Sequence, residues 1–137
     1  MNAIIKYRAG YRYQLAETYR VAIPFWPGRG VTTEWISFLA PGELTINAGY
    51  AWDGPSGPAL DTSSAMRGSL IHDALYQMIR LGHLAPGFRA AADRIYEEMC
   101  IEDGMWPPRA WAHFRALRWF GREAAKPSSE PQVLTAP

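Results

Sequence analysis

One cysteine, Cys100, is all that the 137-residue chain contains, so no intrachain disulfide can form. Packing alone must hold the fold, which suits a reducing compartment such as the cytoplasm. An excess of charge is also missing. Lys and Arg number 14 against 13 Asp and Glu, leaving +1. That balance gives no general case for a nucleic-acid partner. No stretch approaches the roughly 20 apolar residues of a membrane span. The opening MNAIIKYRAGYRYQ has no apolar run of signal-peptide length.

What is present is apolar and aromatic. Hydrophobic residues make up 48% of the chain, enough to exclude disorder for its body. The length predicts one domain with its own core. Six tryptophans stand at 26, 35, 52, 106, 111 and 119. Core packing is the expectation for each, and an interfacial surface is the alternative.

Residues 1–50 read as β. YRYQLA and TYRVAI are short, aromatic and β-branched, and TEWISFL and ELTINAGYAW flank a turn at Ala40-Pro41-Gly42. A small antiparallel sheet of about three to five strands is expected. Residues 51–61 form a Gly/Pro loop, and the chain then turns helical over 62–121. Asp61, Thr62 or Ser63 can cap a first helix. Met66, Leu70, Ala74 and Met78, widened by Ile71, Leu75 and Ile79, give it an apolar face that ends near Gly82. A second helix spans 88–102, broken at Gly104. A third starts at Pro107 and Pro108 and ends near Gly121. The polar, Pro-rich 122–137 reads as a disordered tail. Strands followed by helices predict a single α+β domain over 1–121.

The chemistry-bearing residues gather around GYAWDGPSGPALDTSSAMRGSLIHDALYQ. His72 and Tyr76 lie four apart and share a helix face, while Asp73 is splayed from His72 by about 100°. Asp93 interrupts an apolar stretch of the second helix. The short connector makes the two helices antiparallel neighbours, with His72 and Asp93 at similar distances from it, so the pair can meet. The plainer reading is a hydrogen bond between two buried polar groups. The loop adds to the other side: Asp53, Gly54, Ser56 and Gly57 offer a carboxylate and constrained backbone carbonyls. With Asp73 they could form an oxygen shell for calcium. A tight turn explains the same loop without a metal.

Two other chemistries fit less well. GPSGP lacks the last glycine of a serine nucleophile elbow. His72, Asp93 and Glu97 do not have zinc-protease spacing, and Cys100 alone makes no zinc pattern. His83 and His113 read as surface or packing residues.

A Gly-rich loop, then His-Asp-x-x-Tyr, then an Asp followed by an aromatic on the next helix resembles the secreted phospholipase A(2) superfamily. The likeness is to its compact bacterial and fungal members and to the parvovirus capsid domain. It rests on WDGPSG, HDALY and ADRIYEEMC, over about residues 50–100. Almost the whole chain to Gly121 is similar to a family encoded in tailed phages and prophages, with the same loop, HDALY and a third helix like RALRWFG.

The resemblance implies His72 as the base that activates water, Asp93 as its orienting carboxylate and Tyr76 as the residue that holds Asp93. It implies calcium on Asp73, the carbonyls of 52–57 (Trp52, Gly54, Ser56 and Gly57) and the Asp53 carboxylate. That ion would stabilise the oxyanion of a lipid ester. Disulfides of the secreted enzymes are absent, and Pro55 and Ser56 depart from the usual loop.

A lipid-directed enzyme needs an interfacial face. Trp111, Phe114 and Leu117 form an expected stripe, with Arg109, Arg115 and Arg118 facing anionic head groups. A core-packed third helix with a basic outer face is the expectation on its residues alone, and the interfacial stripe is the alternative. The implied partners are therefore a phospholipid or membrane surface, or phage structural proteins. The likeness also implies synthesis in a host cytoplasm, then virion association or release on lysis. Two rival functions stay open: a non-enzymatic phage tail or virion protein that keeps the fold, and a metal-dependent hydrolase acting on a cell-wall bond.

Overall fold

The computed structural model describes residues 7–9, 13–54 and 63–127, with side chains described from residue 13 onward. The chain divides into two compact units, the first running to Asp53 and the second starting at Gly54. The architecture is α+β, strands first and three helices after.

The first unit contains short antiparallel strands. They are β1 (Tyr7–Ala9), β2 (Tyr13–Leu15), β3 (Tyr19–Ala22), β4 (Val31–Thr32), β5 (Ile36–Leu39), β6 (Glu43–Ile46) and β7 (Ala51–Trp52). They form two sheets rather than the single sheet expected, in the orders β1-β2-β7 and β3-β6-β5-β4. The division comes from ELTINAGYAW, which reads as one strand but bends at Asn47–Gly49. Gly49 adopts a φ of +97°, and a side chain there would run into the Trp35 ring. The bend passes Leu15, which bonds Gly49 and Tyr50 through the backbone. Alternation buries Tyr19 and Val21 on β3, Ile36 and Phe38 on β5, and Leu44 and Ile46 on β6. Register places Phe38 and Val21 opposite Leu44, so the buried side chains lie side by side.

The second unit contains α1 (Ser63–Arg80), α2 (Arg89–Glu102), preceded by a 3₁₀ turn at Pro86–Phe88, and α3 (Pro107–Ala124). Ser63 opens α1, while the other two expected caps, Asp61 and Thr62, lie outside the described residues. The chain turns after α1 at Gly82, with a φ of +81°, and the His83 and Leu84 amides bond back to the Met78 carbonyl. His72 faces Asp93, whereas Arg67, a turn and a half earlier on α1, faces Asp103, near the far end of α2. The two helices are therefore antiparallel. Gly68 allows their approach: a β-carbon there would lie 3.1 Å from Cys100 Sγ and 3.3 Å from Tyr96. The expected face of α1 is buried, and burial goes further, taking in Arg67, Ser69 and His72. Arg67 donates Nε and Nη2 to Asp103 at 3.0 and 2.9 Å and also meets Glu102. This forked pair satisfies a guanidinium that is only 1% exposed.

Pro107 and Pro108 start α3 as expected, but Gly121 does not end it. The helix continues to Ala124, so 122–124 belong to it rather than to a tail. Gly121 is one of only two fully buried α3 residues, and the Tyr76 hydroxyl occupies the space a side chain would need. Core packing is also overturned for three tryptophans. Trp106, Trp111 and Trp119 are 72%, 56% and 72% exposed, whereas Trp52 is buried.

Candidate functional site

The site forms where α1, α2 and α3 meet. Its centre is Asp93, with no solvent exposure. Three side chains bond its carboxylate. His72 Nε2 lies 2.7 Å from Oδ1, Tyr76 Oη donates to the same oxygen at 2.6 Å, and Arg118 Nη1 donates to Oδ2 at 2.9 Å. Arg89, four residues before Asp93 on α2, brings Nη1 to 3.6 Å from Oδ2. Helical spacing produces half of this arrangement. His72 and Tyr76 are one turn apart, and their rings pack with centroids 4.1 Å apart. The other half comes from α3, whose Arg118 reaches in across the helix contact.

Arg89 joins the parts. Its guanidinium donates to the Leu117 and Arg118 carbonyls at 3.0 and 3.2 Å and to Tyr76 Oη at 3.3 Å. α3 is therefore fastened to the carboxylate twice, through the Arg118 side chain and through its own backbone.

Protonation follows from this geometry. Burial tends to raise the Asp93 pKa. The hydrogen bonds from His72, Tyr76 and Arg118 outweigh it and hold the carboxyl below its usual range. Burial also tends to lower the His72 pKa. The neighbouring Asp73 and Asp93 carboxylates overcome that and raise it above 6.5. An ionised carboxylate can only accept, so His72 carries its hydrogen on Nε2, directed at Asp93. In the neutral ring Nδ1 then holds the lone pair. Nδ1 lies 3.9 Å from Asp73 Oδ1, beyond direct hydrogen-bond range. Burial and the Asp93 carboxylate push the Tyr76 phenol well above its usual value, so it remains a donor.

A second polar pair adjoins His72. Tyr96 presents its ring to His72 with centroids 5.7 Å apart at 68°, and its hydroxyl meets His113 Nδ1 at 2.8 Å. Burial and the Arg109 charge hold the His113 pKa below 6.5. His113 is thus held towards its neutral form and packs against Tyr96 of α2. Burial pushes the Cys100 thiol up to about 12.

His72, Tyr76 and Asp93 thus come together. The residues expected to hold calcium divide differently. Ser56 and Gly57 lie outside the described residues, Trp52 and Asp53 belong to the first unit, and Gly54 and Asp73 to the second. Among the described residues no group of three or more His, Cys, Asp or Glu side chains converges as a metal site. Asp73, its side chain 35% exposed, holds Oδ1 3.9 Å from His72 Nδ1. Glu97, weighed as a zinc ligand, accepts from Arg94 at 2.6 Å.

Arg118 is not turned to head groups, because Asp93 takes its charge. The stripe of Trp111, Phe114 and Leu117 also divides. Leu117 packs on the core beside Ala65, Tyr96 and Cys100, Phe114 lies 4.0 Å beneath the Arg94 guanidinium, and Trp111 is exposed. The sequence reading missed Arg89 and the contacts of Tyr96 and Arg118. Arg89 had a readable signal, its four-residue spacing to an acid that stands alone in an apolar stretch. Arg118 had none, since only packing brings it near. No helix among the described residues is long and apolar enough to cross a membrane. Comparisons with protein-family models, with curated proteins and with solved structures find no match to this chain.

Proposed function

We propose that the second unit is a phospholipase A(2)-like ester hydrolase, of the phage type that the sequence resembles, with His72 as general base. The observation that supports this is the 2.7 Å contact of His72 Nε2 with the fully buried Asp93 carboxylate, which leaves the lone pair on Nδ1. A water between Nδ1 and Asp73 gives its proton to Nδ1 as its oxygen bonds to the ester carbonyl carbon. The tetrahedral intermediate then breaks its bond to the alcohol oxygen. The imidazolium returns the proton to that oxygen, releasing alcohol and fatty acid and restoring His72. Asp93 fixes the tautomer and offsets the charge on the ring, while Tyr76 and Arg118 keep Asp93 ionised.

Calcium, held by Asp73 and backbone carbonyls of the preceding loop, would polarise the ester carbonyl and stabilise the oxyanion. Calorimetric titration tests this without turnover. Binding to the wild type and none to Asp73→Asn is expected, and no heat from either variant removes the ion. For the chemistry, mixed phospholipid vesicles should release free fatty acid with the wild type and not with His72→Ala. Equal release from both removes His72 from the reaction.

One observation favours a second reading, a non-enzymatic virion or tail component. Arg118 and Arg89 already compensate the Asp93 charge, which weakens its support for an imidazolium and makes it the centre of a three-helix brace. In that case a folded wild type releases no fatty acid with or without calcium.

A further inference from the structure

The outward face of α3 takes no part in the site. Its inner face rests on the rest of the unit through Ala110 and Gly121, with His113, Phe114, Leu117 and Arg118 half-buried. Four large aromatics on or next to this one helix are nonetheless exposed, Trp106, Trp111, Trp119 and Phe120, the last at 78%. An exposed hydrophobic residue is ordinary when single; several on one helix indicate a surface that is covered in use.

Two of the four, Trp111 and Trp119, share one face of α3, and the make-up of that face indicates what covers it. Trp111, Arg115 and Trp119 follow at four-residue spacing, and Arg122 falls between them around the axis. All four fit within an arc of about 80° at 100° per residue. The Arg115 guanidinium lies 5.7 Å from the Trp111 ring centroid. No acidic residue of α3 falls in that arc. Glu123, outside it, is engaged with Lys126 at 2.8 Å. The face is therefore a ladder of alternating indole and guanidinium. An indole suits a boundary between apolar and wet phases, and a guanidinium forks onto phosphate oxygens.

We infer that this face of α3 docks on an anionic phospholipid surface, with Trp111 and Trp119 entering the head-group layer and Arg115 and Arg122 binding lipid phosphates. A second copy of the chain fits less well, because pairing two such faces sets like charges together. Nucleic acid fits less well because the chain as a whole is nearly neutral. The docking is separate from the hydrolysis proposed for His72 and is measured without it.

The test is co-sedimentation of the full chain with vesicles of ether-linked phospholipids, which have no ester to hydrolyse. One set mixes phosphatidylglycerol with phosphatidylcholine, and the other is phosphatidylcholine alone. Binding to the anionic set, weakened by salt and accompanied by a blue shift of tryptophan emission, is expected. Arg115→Glu with Arg122→Glu should lower partitioning at least about tenfold, since each basic residue near an anionic surface contributes on the order of a factor of five. Trp119→Ser should reduce both binding and the blue shift. These residues are exposed and outside the Asp93 network, so circular dichroism should match the wild type. The proposal is overturned if anionic and neutral vesicles bind equally. It is also overturned if the variants bind like the wild type, or if the vesicles bind nothing while the chain dimerises through α3 or retards a single-stranded oligonucleotide.

Discussion

Replacing Asp93 with asparagine separates the structural from the chemical role of the buried carboxylate. The change keeps shape and removes the charge. Losing one partner of a buried ion pair costs about 3–5 kcal/mol. Two features reduce that figure. The Arg118 side chain is 32% exposed, so water recovers part of the lost attraction, and the amide oxygen still accepts from Arg118 Nη1. A loss of about 2–3 kcal/mol is expected, a fall in melting temperature of roughly 10 °C for a chain of this size. With its oxygen towards Arg118, the amide presents its N–H groups to His72 Nε2 and Tyr76 Oη. His72 can accept only by moving its hydrogen to Nδ1, and the Tyr76 hydroxyl must rotate. The atom assigned as base is then blocked. Hydrolysis of phospholipid should fall by about 10²–10⁴, the scale of a lost general base. Without Asp93, burial should bring the His72 pKa down. Nitrogen NMR of the imidazole reads tautomer and pKa in one titration, and chemical denaturation gives the stability. A folded Asp93→Asn protein that keeps hydrogen on Nε2, with an unchanged titration, would refute the argument.

Gly121→Ala should destabilise the protein although alanine favours helix by about 1 kcal/mol. The new β-carbon would stand 2.5 Å from Tyr76 Oη and 3.0 Å from Arg89 Nη1, displacing the Tyr76–Asp93 bond. A thermal melt checks this, and in a Tyr76→Phe background the same change should become neutral or stabilising. Arg67→Ala should cost about 3–5 kcal/mol, because it leaves Asp103 without its buried partner; a loss under 1 kcal/mol in urea unfolding would show that Asp103 finds water instead. The His72 pKa is raised in the fold, so its contribution to stability is complete below pH 6.5 and is lost as pH rises through the raised value. The Asp93 pKa is lowered, so its contribution is present above pH 3.8 and is lost as pH falls through the depressed value. Hydrolysis needs neutral His72 and should rise with pH across the range where the His72 contribution to stability declines, a crossing that paired rate and denaturation profiles can check.

Much of the helical half was legible because helix geometry is local. Four-residue spacing placed His72 beside Tyr76, the apolar face of α1 was readable from Met66 to Ile79, and the short connector brought Asp93 opposite His72. The Pro107-Pro108 pair marked the start of α3, and glycines marked the turns. The β half was less legible, because a bend within an apolar run depends on how Trp35 packs against Gly49, two residues that are 14 positions apart. α3 was misread for a similar reason. Its sequence carries enough Trp, Phe and Leu for a core helix, and nothing local decides which of them face inward.

The sequence by itself determined the order of strands and helices, the antiparallel helix pair and the meeting of His72 with Asp93, all consequences of helical periodicity and connector length. Tertiary structure alone decided that Arg118 and Arg89 share the Asp93 charge, that Gly121 gives way to the Tyr76 hydroxyl, and that Trp106, Trp111 and Trp119 stay outside. Those outcomes depend on the position and rotation of α3 against the other two helices. That placement is set by the fit of small residues and a few charged hydrogen bonds between segments far apart in the chain, which no local pattern encodes.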